Sequence, residues 1–506
     1  MRRRAFVQAA CATAGVASIP CRDAFAVFYR PVEQSQQLPD VDAVTGDGQH
    51  IRLTGAALAD LRARLRGRLL LAGNPGYDDA RRIRNPAFDK RPALIVQPTG
   101  VADIRTAVNF AGENRGLLLA VKCGGHSFSG QSTCDRGMQI DLSLFRDVRV
   151  DPAARRAWVT GGCLLGQVDH ETTAFGLATP LGTVSDTGVG GLATGGGFGR
   201  LARRFGLSVD NVVGVDVVTA DGQLRHASNT ENPDLLWGVR GGGGNFGIVT
   251  NFEFQLHPMP QPIFTGNIVY PIELAREGLR IYGDYAYEAP DELNLSCALG
   301  QPAGGGRPRF IFFVNYSGPA ERLESVLAPV RRLGTPIADR VQPMNYSAAQ
   351  RGTDTTDPRV TVTYLKGGFV PSVPAGLVDA VADHFRGDPR RQGGIFFENA
   401  GGAIARVPAE ATAFVHRDIH SNMFASVAWT YGEDGSEHIE WLKQYWAGIE
   451  PFTKGFYVNN MPFDATPSSV LASYRSNQER LVAIKNRYDP KNLFRLNPNV
   501  RPTVTP

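Results

Sequence analysis

Residues 122–127, Lys-Cys-Gly-Gly-His-Ser, combine the features most suited to chemistry in this sequence. They follow an apolar stretch typical of a buried strand, and the two glycines allow a sharp turn and close approach of the backbone to a ligand. Successive amides in such a turn form a nest that suits a pyrophosphate. His126 would lie at the rim of this nest, where an imidazole can attack an electrophilic ring methyl and form a stable C–N bond. The alternative is a common glycine-rich turn that holds a structural histidine.

A second segment, residues 188–199, contains seven glycines in twelve positions. Ordering each glycine within an element is unfavourable by roughly 0.5–1 kcal/mol relative to alanine. Backbone packed against a flat or charged ligand is therefore the expected reason for them. Gly188, Gly190 and Ala193 formally fit the fingerprint of nicotinamide dinucleotide sites, but the preceding residues 178–182 do not have a strand pattern, which argues against such a site.

Two further segments have unusual composition. Residues 241–247, Gly-Gly-Gly-Gly-Asn-Phe-Gly, precede an alternating strand pattern that begins at Ile248. Near the C-terminus, Tyr-Val-Asn at 457–459 is followed by turn-rich runs at 488–494 and 497–499. Taken alone, the first would be a loop between a helix and a strand, and the second a surface tail.

The elements around these motifs indicate a mixture of helices and strands. Apolar periodicity predicts helices over 56–66 and 101–114, the second capped by Thr99 and ended by Gly116. Asp221-Gly222 is a strong hairpin signal between two strand patterns. Strands are predicted over 117–122, 212–219, 223–227 and 248–256, and a short helix over 234–239.

Three prolines in residues 257–262 forbid continued regular structure and mark the best domain boundary. Beyond them the patterns predict strands over 310–315, 360–364 and 425–430, with helices over 319–333 and 374–386. The sequence therefore predicts an α+β fold in two lobes. We expect a signal segment at 1–26, a first domain at 27–258, a second domain at 259–450, and a C-terminal segment at 451–506 that returns to the first domain.

The formal net charge of the 506 residues is +4, but residues 1–26 contribute +3 of it. The remainder is nearly neutral, so nothing indicates a nucleic-acid partner. Arg2, Arg3 and Arg4 precede a weakly apolar stretch, and Ala24-Phe25-Ala26 offers small residues for cleavage, which is typical of a twin-arginine signal. A Sec signal or a basic disordered arm is the alternative. No later stretch is long and apolar enough to span a membrane, and we expect an exported, periplasmic or extracellular protein.

Four cysteines lie beyond the signal segment, at positions 123, 134, 163 and 297. Their spacing matches no zinc motif, and no metal site is predicted. A disulfide between Cys123 and Cys134 would suit an oxidising compartment. Buried free thiols are the equally open alternative.

The four motifs, in this order and spacing, resemble the berberine-bridge-enzyme-like group of FAD-linked oxidases, which has the vanillyl-alcohol-oxidase flavin fold. The resemblance runs from about residue 69 to 502 and includes Pro75-Gly76-Tyr77 and Leu493-Phe494-Arg495. It implies a two-lobed protein. One lobe is a PCMH-type FAD-binding domain, and the other is a substrate domain with an antiparallel sheet covered by helices.

The resemblance also implies a covalent FAD, bonded through His126. Many members add a second bond from a cysteine, but Val184 stands at that position here, so a singly linked flavin is expected, as in bacterial members. Thr187 falls where the family places a residue that gates dioxygen, and its size favours an oxidase. The residues expected to contact FAD are Lys122, Cys123, Gly124, Gly125, Ser127, Thr183, Thr187, Gly188, Gly191, Gly195, Ile248, Val249, Tyr457 and Asn459.

The implied reaction is hydride transfer from a small alcohol, sugar or amine to the bound FAD, with dioxygen then reduced to hydrogen peroxide. A base must remove the partner proton; Tyr457 is the first candidate by position, Glu398 the second and His416 the third. Two alternatives stay open. One is a dehydrogenase that passes electrons to a quinone or a protein, and the other is a flavin-binding protein with little turnover.

Overall fold

A computed structural model describes residues 37–301, 306–352, 354, 360–385 and 392–504. The predicted signal segment at 1–26 lies outside the described residues. Within them, no helix is both long and apolar enough to cross a membrane.

The strands are numbered in chain order. They are β1 (Val41–Val44), β2 (His50–Leu53), β3 (Arg68–Leu70), β4 (Leu94–Gln97), β5 (Leu119–Lys122), β6 (Met138–Asp141), β7 (Val148–Asp151), β8 (Arg156–Thr160), β9 (Leu177–Ala178), β10 (Val212–Val218), β11 (Leu224–Ser228), β12 (Ile248–Gln255), β13 (His257–Pro258), β14 (Ile263–Pro271), β15 (Leu293–Gln301), β16 (Arg309–Tyr316), β17 (Ala338–Asp339), β18 (Gln342–Met344), β19 (Thr361–Val370), β20 (Gln392–Asn399) and β21 (Ser421–Thr430).

The α-helices lie between and after these strands, together with short 3-10 turns. Their bounds are Gly55–Arg64, Tyr77–Arg81, Val101–Glu113, Leu165–Thr173, Val189–Gly195, Ala202–Phe205, Ser208–Asn211, Pro233–Gly242, Ala275–Tyr285, Leu323–Arg331, Tyr346–Arg351, Ala375–His384, Ala403–Arg406, Ser436–Ile449, Pro467–Ala472 and Gln478–Tyr488.

The N-terminal lobe contains two main sheets. The first has the order β3-β4-β6-β5, in which β4, β6 and β5 run parallel, as is usual where a helix connects buried strands. The second is antiparallel with the order β11-β10-β12-β8-β7. The predicted Asp221-Gly222 hairpin joins β10 to β11, and Gly222 has the positive φ of 70° that this turn requires.

The second lobe is an antiparallel sheet with the order β17-β14-β16-β15-β20-β21-β19, and β18 also pairs with β14. Four helices, Ala275–Tyr285, Leu323–Arg331, Ala375–His384 and Ser436–Ile449, bury their apolar sides with one face of this sheet in a single core. The other face is therefore free to meet the N-terminal lobe. The predicted α+β fold class is confirmed.

One local prediction is wrong. Thr99 does not cap the helix that begins at Val101, because Gly100 occupies the N-cap position. Thr99 instead donates its backbone N–H and its hydroxyl to Asp103 Oδ2, at 2.9 and 3.2 Å. The carboxylate in the first turn thus satisfies groups that precede the helix, which is the reverse of a threonine cap.

The C-terminal segment packs against the N-terminal lobe around a buried ion pair. Lys485 Nζ lies 2.7 Å from Asp489 Oδ2 and donates to the carbonyl oxygens of Asn245 and Phe494, and both charged side chains are fully buried. Asp489 also accepts the backbone N–H groups of Leu493 and Phe494. Every polar group of the pair has a partner, as a buried charge requires.

Replacing Lys485 by methionine is expected to lower the free energy of unfolding by roughly 3–5 kcal/mol, because Asp489 would be left as a buried charge without its partner. Chemical denaturation would measure this loss as a lower midpoint, with an unchanged slope of the unfolding free energy against denaturant concentration. Lys491→Met, on the exposed part of the same segment, is the control and should leave the midpoint nearly unchanged. Equal midpoints for the two variants would contradict the prediction.

Candidate active site

A cavity of about 500 Å³ lies between the glycine-rich loops of the N-terminal lobe and the uncovered face of the second sheet. Its walls come from residues far apart in the chain: the turn after β5, the loop before the helix Val189–Gly195, the start of β12, the strands β19 to β21, and the C-terminal segment. All four motifs found in the sequence contribute to this one cavity.

Backbone rather than side chains builds much of the wall. A Cβ at Gly124 would lie 2.3 Å from Gly188 N, so the first two motifs pack backbone against backbone. Gly191, Gly243 and Gly244 border the cavity, and a Cβ on any of them would meet no atom within 4 Å. Side chains there would project into open space. The glycines therefore keep room for a large ligand, as the sequence predicted.

His126 is held by side chains of the N-terminal lobe. Its Nδ1 lies 3.1 Å from Thr187 Oγ1 and 3.2 Å from Arg84 Nη1, and its Nε2 lies 3.4 Å from Asp186 Oδ1 and 3.5 Å from Arg84 Nη1. The contact with His126 and then the charge of Arg84 hold the pKa of Asp186 below its usual range. One ring nitrogen of His126 thus faces a hydroxyl group and the other faces a carboxylate.

Arg84 and Asp186 were not predicted from the sequence. Asp186 directly precedes Thr187 and Gly188 in a loop that was expected to contact the ligand, so a carboxylate at this place in the loop was a readable signal. No pattern in the sequence distinguished Arg84, because its segment forms none of the four motifs.

Most of the expected cofactor contacts border the cavity. They are Cys123, Gly124, Gly125, His126, Ser127, Thr183, Thr187, Gly188, Gly191, Ile248, Val249, Tyr457 and Asn459. Val184, at the position where a second covalent bond would originate, borders it as well.

Lys122 is an exception. Side chains alternate along a strand, so Val121 and Cys123 face the cavity and Lys122 points away from it. Lys122 Nζ donates to Ala80 O at 2.5 Å and lies 3.6 Å from Asp141 Oδ2. Burial lowers the pKa of this ammonium group. The expectation that Lys122 contacts FAD is wrong, because its charge is used inside the fold.

Gly195 also lies outside the cavity wall. A Cβ at this position would be 2.2 Å from Asn459 Oδ1. Asn459 in turn donates to Leu192 O at 3.1 Å. The glycine therefore makes room for a side chain of the C-terminal segment and does not itself contact a ligand.

Cys123 and Cys134 are free thiols in the structure. Cys123 Sγ donates to Cys163 O at 3.4 Å and Cys134 Sγ donates to Met138 O at 3.6 Å. Burial raises the pKa of Cys123 to about 11 and that of Cys134 to about 12. Of the two open alternatives, the structure has free thiols, with Cys134 buried and Cys123 half-buried at the cavity wall.

Glu398 has the properties of a base. It stands on β20, borders the cavity, and accepts a hydrogen bond from Asn422 Nδ2 at 2.9 Å. Burial raises the pKa of the Glu398 carboxyl to about 7, and the bond from Asn422 opposes this only in part. A carboxylate with a pKa near the working pH is suited to accept a proton.

Tyr457, the first candidate by position, is arranged differently. Its hydroxyl oxygen accepts the N–H of Gly197 at 2.6 Å and the Nδ2–H of Asn459 at 2.7 Å. Burial raises the pKa of the phenol, and the nearby charge of Glu398 adds to this shift. Tyr457 is therefore a neutral phenol whose own proton is free to be donated, and the geometry disfavours it as the base.

His416 is not brought to the cavity. Its Nε2 pairs with Ser473 O at 2.7 Å, and its ring packs 4.1 Å from the ring of Phe369. Burial lowers the pKa of His416 to about 3. Its role is packing beneath the site, so the expectation that it could serve as a base is wrong.

Aromatic rings enclose the part of the cavity near Glu398. Phe198 packs edge-on to Tyr457, with ring centroids 5.2 Å apart, and Phe128 and Phe424 complete this part of the wall. Such a wall presents flat apolar surface to a small organic molecule.

A glycine-built cavity between the two-sheet N-terminal lobe and the bare face of the second lobe's antiparallel sheet is the arrangement expected of the two-lobed flavoproteins that the sequence resembles. The comparisons agree with this class. Residues 92–228 match the family model described as FAD binding domain, and residues 456–501 match the one described as Berberine and berberine like.

Relatives extend this match over most of the chain. An FAD-linked oxidoreductase from Dictyostelium discoideum is 32% identical over 416 residues, which cover 81% of this chain and 89% of the relative. The (R)-6-hydroxynicotine oxidase of Paenarthrobacter nicotinovorans is 30% identical over 465 residues, which cover 87% and 97%. The chain belongs to the berberine-bridge-enzyme-like family of FAD-linked oxidoreductases, and it is an enzyme of that class.

Solved structures support the fold. The 6-hydroxy-D-nicotine oxidase from Arthrobacter nicotinovorans superimposes with a TM-score of 0.79 at 29% identity and covers 86% of this chain and 98% of its own. The glucooligosaccharide oxidase from Acremonium strictum has a TM-score of 0.79 at 26% identity and covers 88% and 100%. The flavin of that oxidase is described as 6-S-cysteinyl, 8α-N1-histidyl FAD.

Proposed function

We propose that this enzyme is an oxidase that removes a hydride from a small alcohol, sugar or amine and passes the electrons to dioxygen, forming hydrogen peroxide. The observation that carries the proposal is that Glu398 and His126 border the same cavity. One residue can accept a substrate proton, and the other can anchor a flavin beside it.

The cavity fits FAD by its shape and by its donor groups. Gly191, Gly243 and Gly244 leave space that any side chain would fill. The turn of Gly124, Gly125 and Ser127 would hold the pyrophosphate, and His126 would bond to the ring through Nδ1, as the histidyl linkage of the glucooligosaccharide oxidase suggests. Val184 offers no thiol, so a second bond is not expected. When bound, FAD supplies the acceptor for two electrons.

Glu398 would take the proton from the substrate oxygen or nitrogen while the adjacent C–H bond is broken. Tyr457 would donate its free proton to the same heteroatom and fix its position, because its oxygen already accepts two hydrogen bonds. Phe198 and Phe424 would enclose the reacting atoms and exclude water. The protein thus supplies orientation and proton transfer.

The names of the relatives support only a broad class of substrates for this enzyme. Their names include a hydroxynicotine oxidase and oxidases of xylo-, chito- and glucooligosaccharides. Amines and sugars are both within the proposal. The arginines and small residues of the N-terminal segment support export of the enzyme.

The test is a substrate screen on the purified protein. Under anaerobic conditions, a true substrate among alcohols, sugars and amines should bleach the flavin absorbance. Admission of air should restore the colour and release one hydrogen peroxide per substrate oxidised. Bleaching that only an artificial acceptor reverses would identify a dehydrogenase and overturn the oxidase assignment. A protein that no compound bleaches would be a flavin-binding protein without turnover.

A further inference from the structure

The protonation of His126 can be assigned from its neighbours. A guanidinium group donates hydrogen bonds and accepts none. Arg84 Nη1 lies 3.2 Å from Nδ1 and 3.5 Å from Nε2, so its shorter contact is with Nδ1. Thr187 Oγ1, at 3.1 Å, can donate to the lone pair of Nδ1 as well. These contacts place the lone pair on Nδ1, and the imidazole N–H then lies on Nε2, which faces Asp186.

Asp186 completes this arrangement from the other edge. Its Oδ1 is buried and meets no donor in full hydrogen-bond geometry within the described part of the chain, and the nearest donors are His126 Nε2 at 3.4 Å and Arg84 Nη1 at 3.8 Å. A buried carboxylate oxygen without a hydrogen bond is unusual in a native structure. Asp186 Oδ1 lies beside Nε2 of His126, and a role in accepting a proton from this nitrogen would explain why the oxygen is buried there.

We infer that Asp186 positions His126 and accepts its Nε2 proton during covalent attachment of FAD. The inference rests on the proposed linkage through His126. Nucleophiles are commonly activated by a base that a third group orients. Here the imidazole would be the nucleophile, Asp186 the base, and Arg84 with Thr187 would fix the tautomer before the bond forms.

The step balances with dioxygen as oxidant. A bond forms between His126 Nδ1 and the 8α carbon, which is the carbon of the methyl group on the flavin ring. One C–H bond of this methyl group and the Nε2–H bond of His126 break. Two protons are released, the second through Asp186. The electron pair of the broken C–H bond passes through the ring system to dioxygen, which becomes hydrogen peroxide with two protons. The product is a neutral, alkylated imidazole.

Asp186→Asn tests the inference, because it keeps the size of the side chain and removes the base. Full-length protein expressed under riboflavin limitation is mixed with FAD, and acid-stable flavin is followed with time beside the affinity for dissociable FAD. The rate of covalent attachment should fall by about 10²–10⁴-fold, while the affinity for dissociable FAD stays close to that of the wild type. Asp186→Glu should restore much of the rate.

Asp216→Asn is the matched control, because Asp216 pairs with His226 Nδ1 at 2.9 Å on β10 and β11, where neither residue borders the cavity. It should attach FAD at the wild-type rate. Wild-type attachment in Asp186→Asn would overturn the inference. Loss of all FAD affinity in both Asp186 variants would also overturn it, since Asp186 would then serve binding. A wild type without acid-stable flavin would instead refute the linkage of the proposed function.

Discussion

Replacing Glu398 by glutamine is expected to lower the rate of substrate oxidation by about 10²–10⁴-fold, the usual contribution of a positioned general base. Glutamine keeps the size of the side chain and can still accept the hydrogen bond from Asn422, but it cannot take up a proton. Stopped-flow measurement of anaerobic flavin bleaching would report this step directly. Flavin content should remain at the wild-type level.

Tyr457→Phe is the comparison that distinguishes the two candidate bases. It removes one donor to the substrate, so we expect a loss of about tenfold, the value of one hydrogen bond. A larger loss in Tyr457→Phe than in Glu398→Gln would make Tyr457 the base and contradict our assignment.

The pH dependence provides an independent check on Glu398. Burial raises the pKa of this carboxyl to about 7, and only the carboxylate can accept a proton. The value of kcat/KM should therefore rise as the pH increases through about 7 and become constant above it. Glu398→Gln should abolish this limb of the profile. A limb that persists in the variant would assign the titration to another group.

His126→Ala is expected to remove all covalently bound flavin. Protein precipitated with acid should then be colourless, whereas wild-type protein should stay yellow. Mass spectrometry of the peptide that contains residue 126 should show the added mass of FAD in the wild type alone. The physical reason is that Val184 offers no second nucleophile at the position where relatives carry a cysteine.

His226→Ala is the control for this change, because His226 is exposed on the N-terminal lobe and does not border the cavity. This variant should retain as much covalently bound flavin as the wild type. Acid-stable flavin in His126→Ala would refute the linkage through His126, and it would direct attention to the other nucleophiles of the cavity wall, of which Cys123 is the first.

The parts of the fold that depend on local sequence were predictable. The hairpin at Asp221-Gly222 and the strand from Ile248 were readable, because turn chemistry and alternation act over a few neighbouring residues. The glycine-rich loops were also predictable as cavity walls, since their composition has few other physical reasons. The helix and strand patterns also predicted the α+β fold class, which the structure confirms, and the family resemblance added the PCMH-type flavin fold.

The predictions were wrong where the role of a residue depended on the direction of its side chain or on contacts with residues distant in the chain. Lys122 belongs to a correctly predicted strand, but the alternation of side chains turns it away from the cavity. Gly195 was expected to contact FAD, yet it accommodates Asn459, which is distant in the chain. His416 is buried behind the aromatic wall. Composition cannot show which side of an element faces a ligand.

By itself, the sequence determined the local pieces of this protein: a glycine turn that ends in His126, further glycine-rich loops, and the alternating strands of two lobes. Only the tertiary structure decided what these pieces do together. It placed Glu398 beside the aromatic wall, and it brought Asp186 and Arg84 within reach of one imidazole. The physical reason is that acidity and nucleophilicity depend on burial and neighbouring charge, and long-range packing sets both.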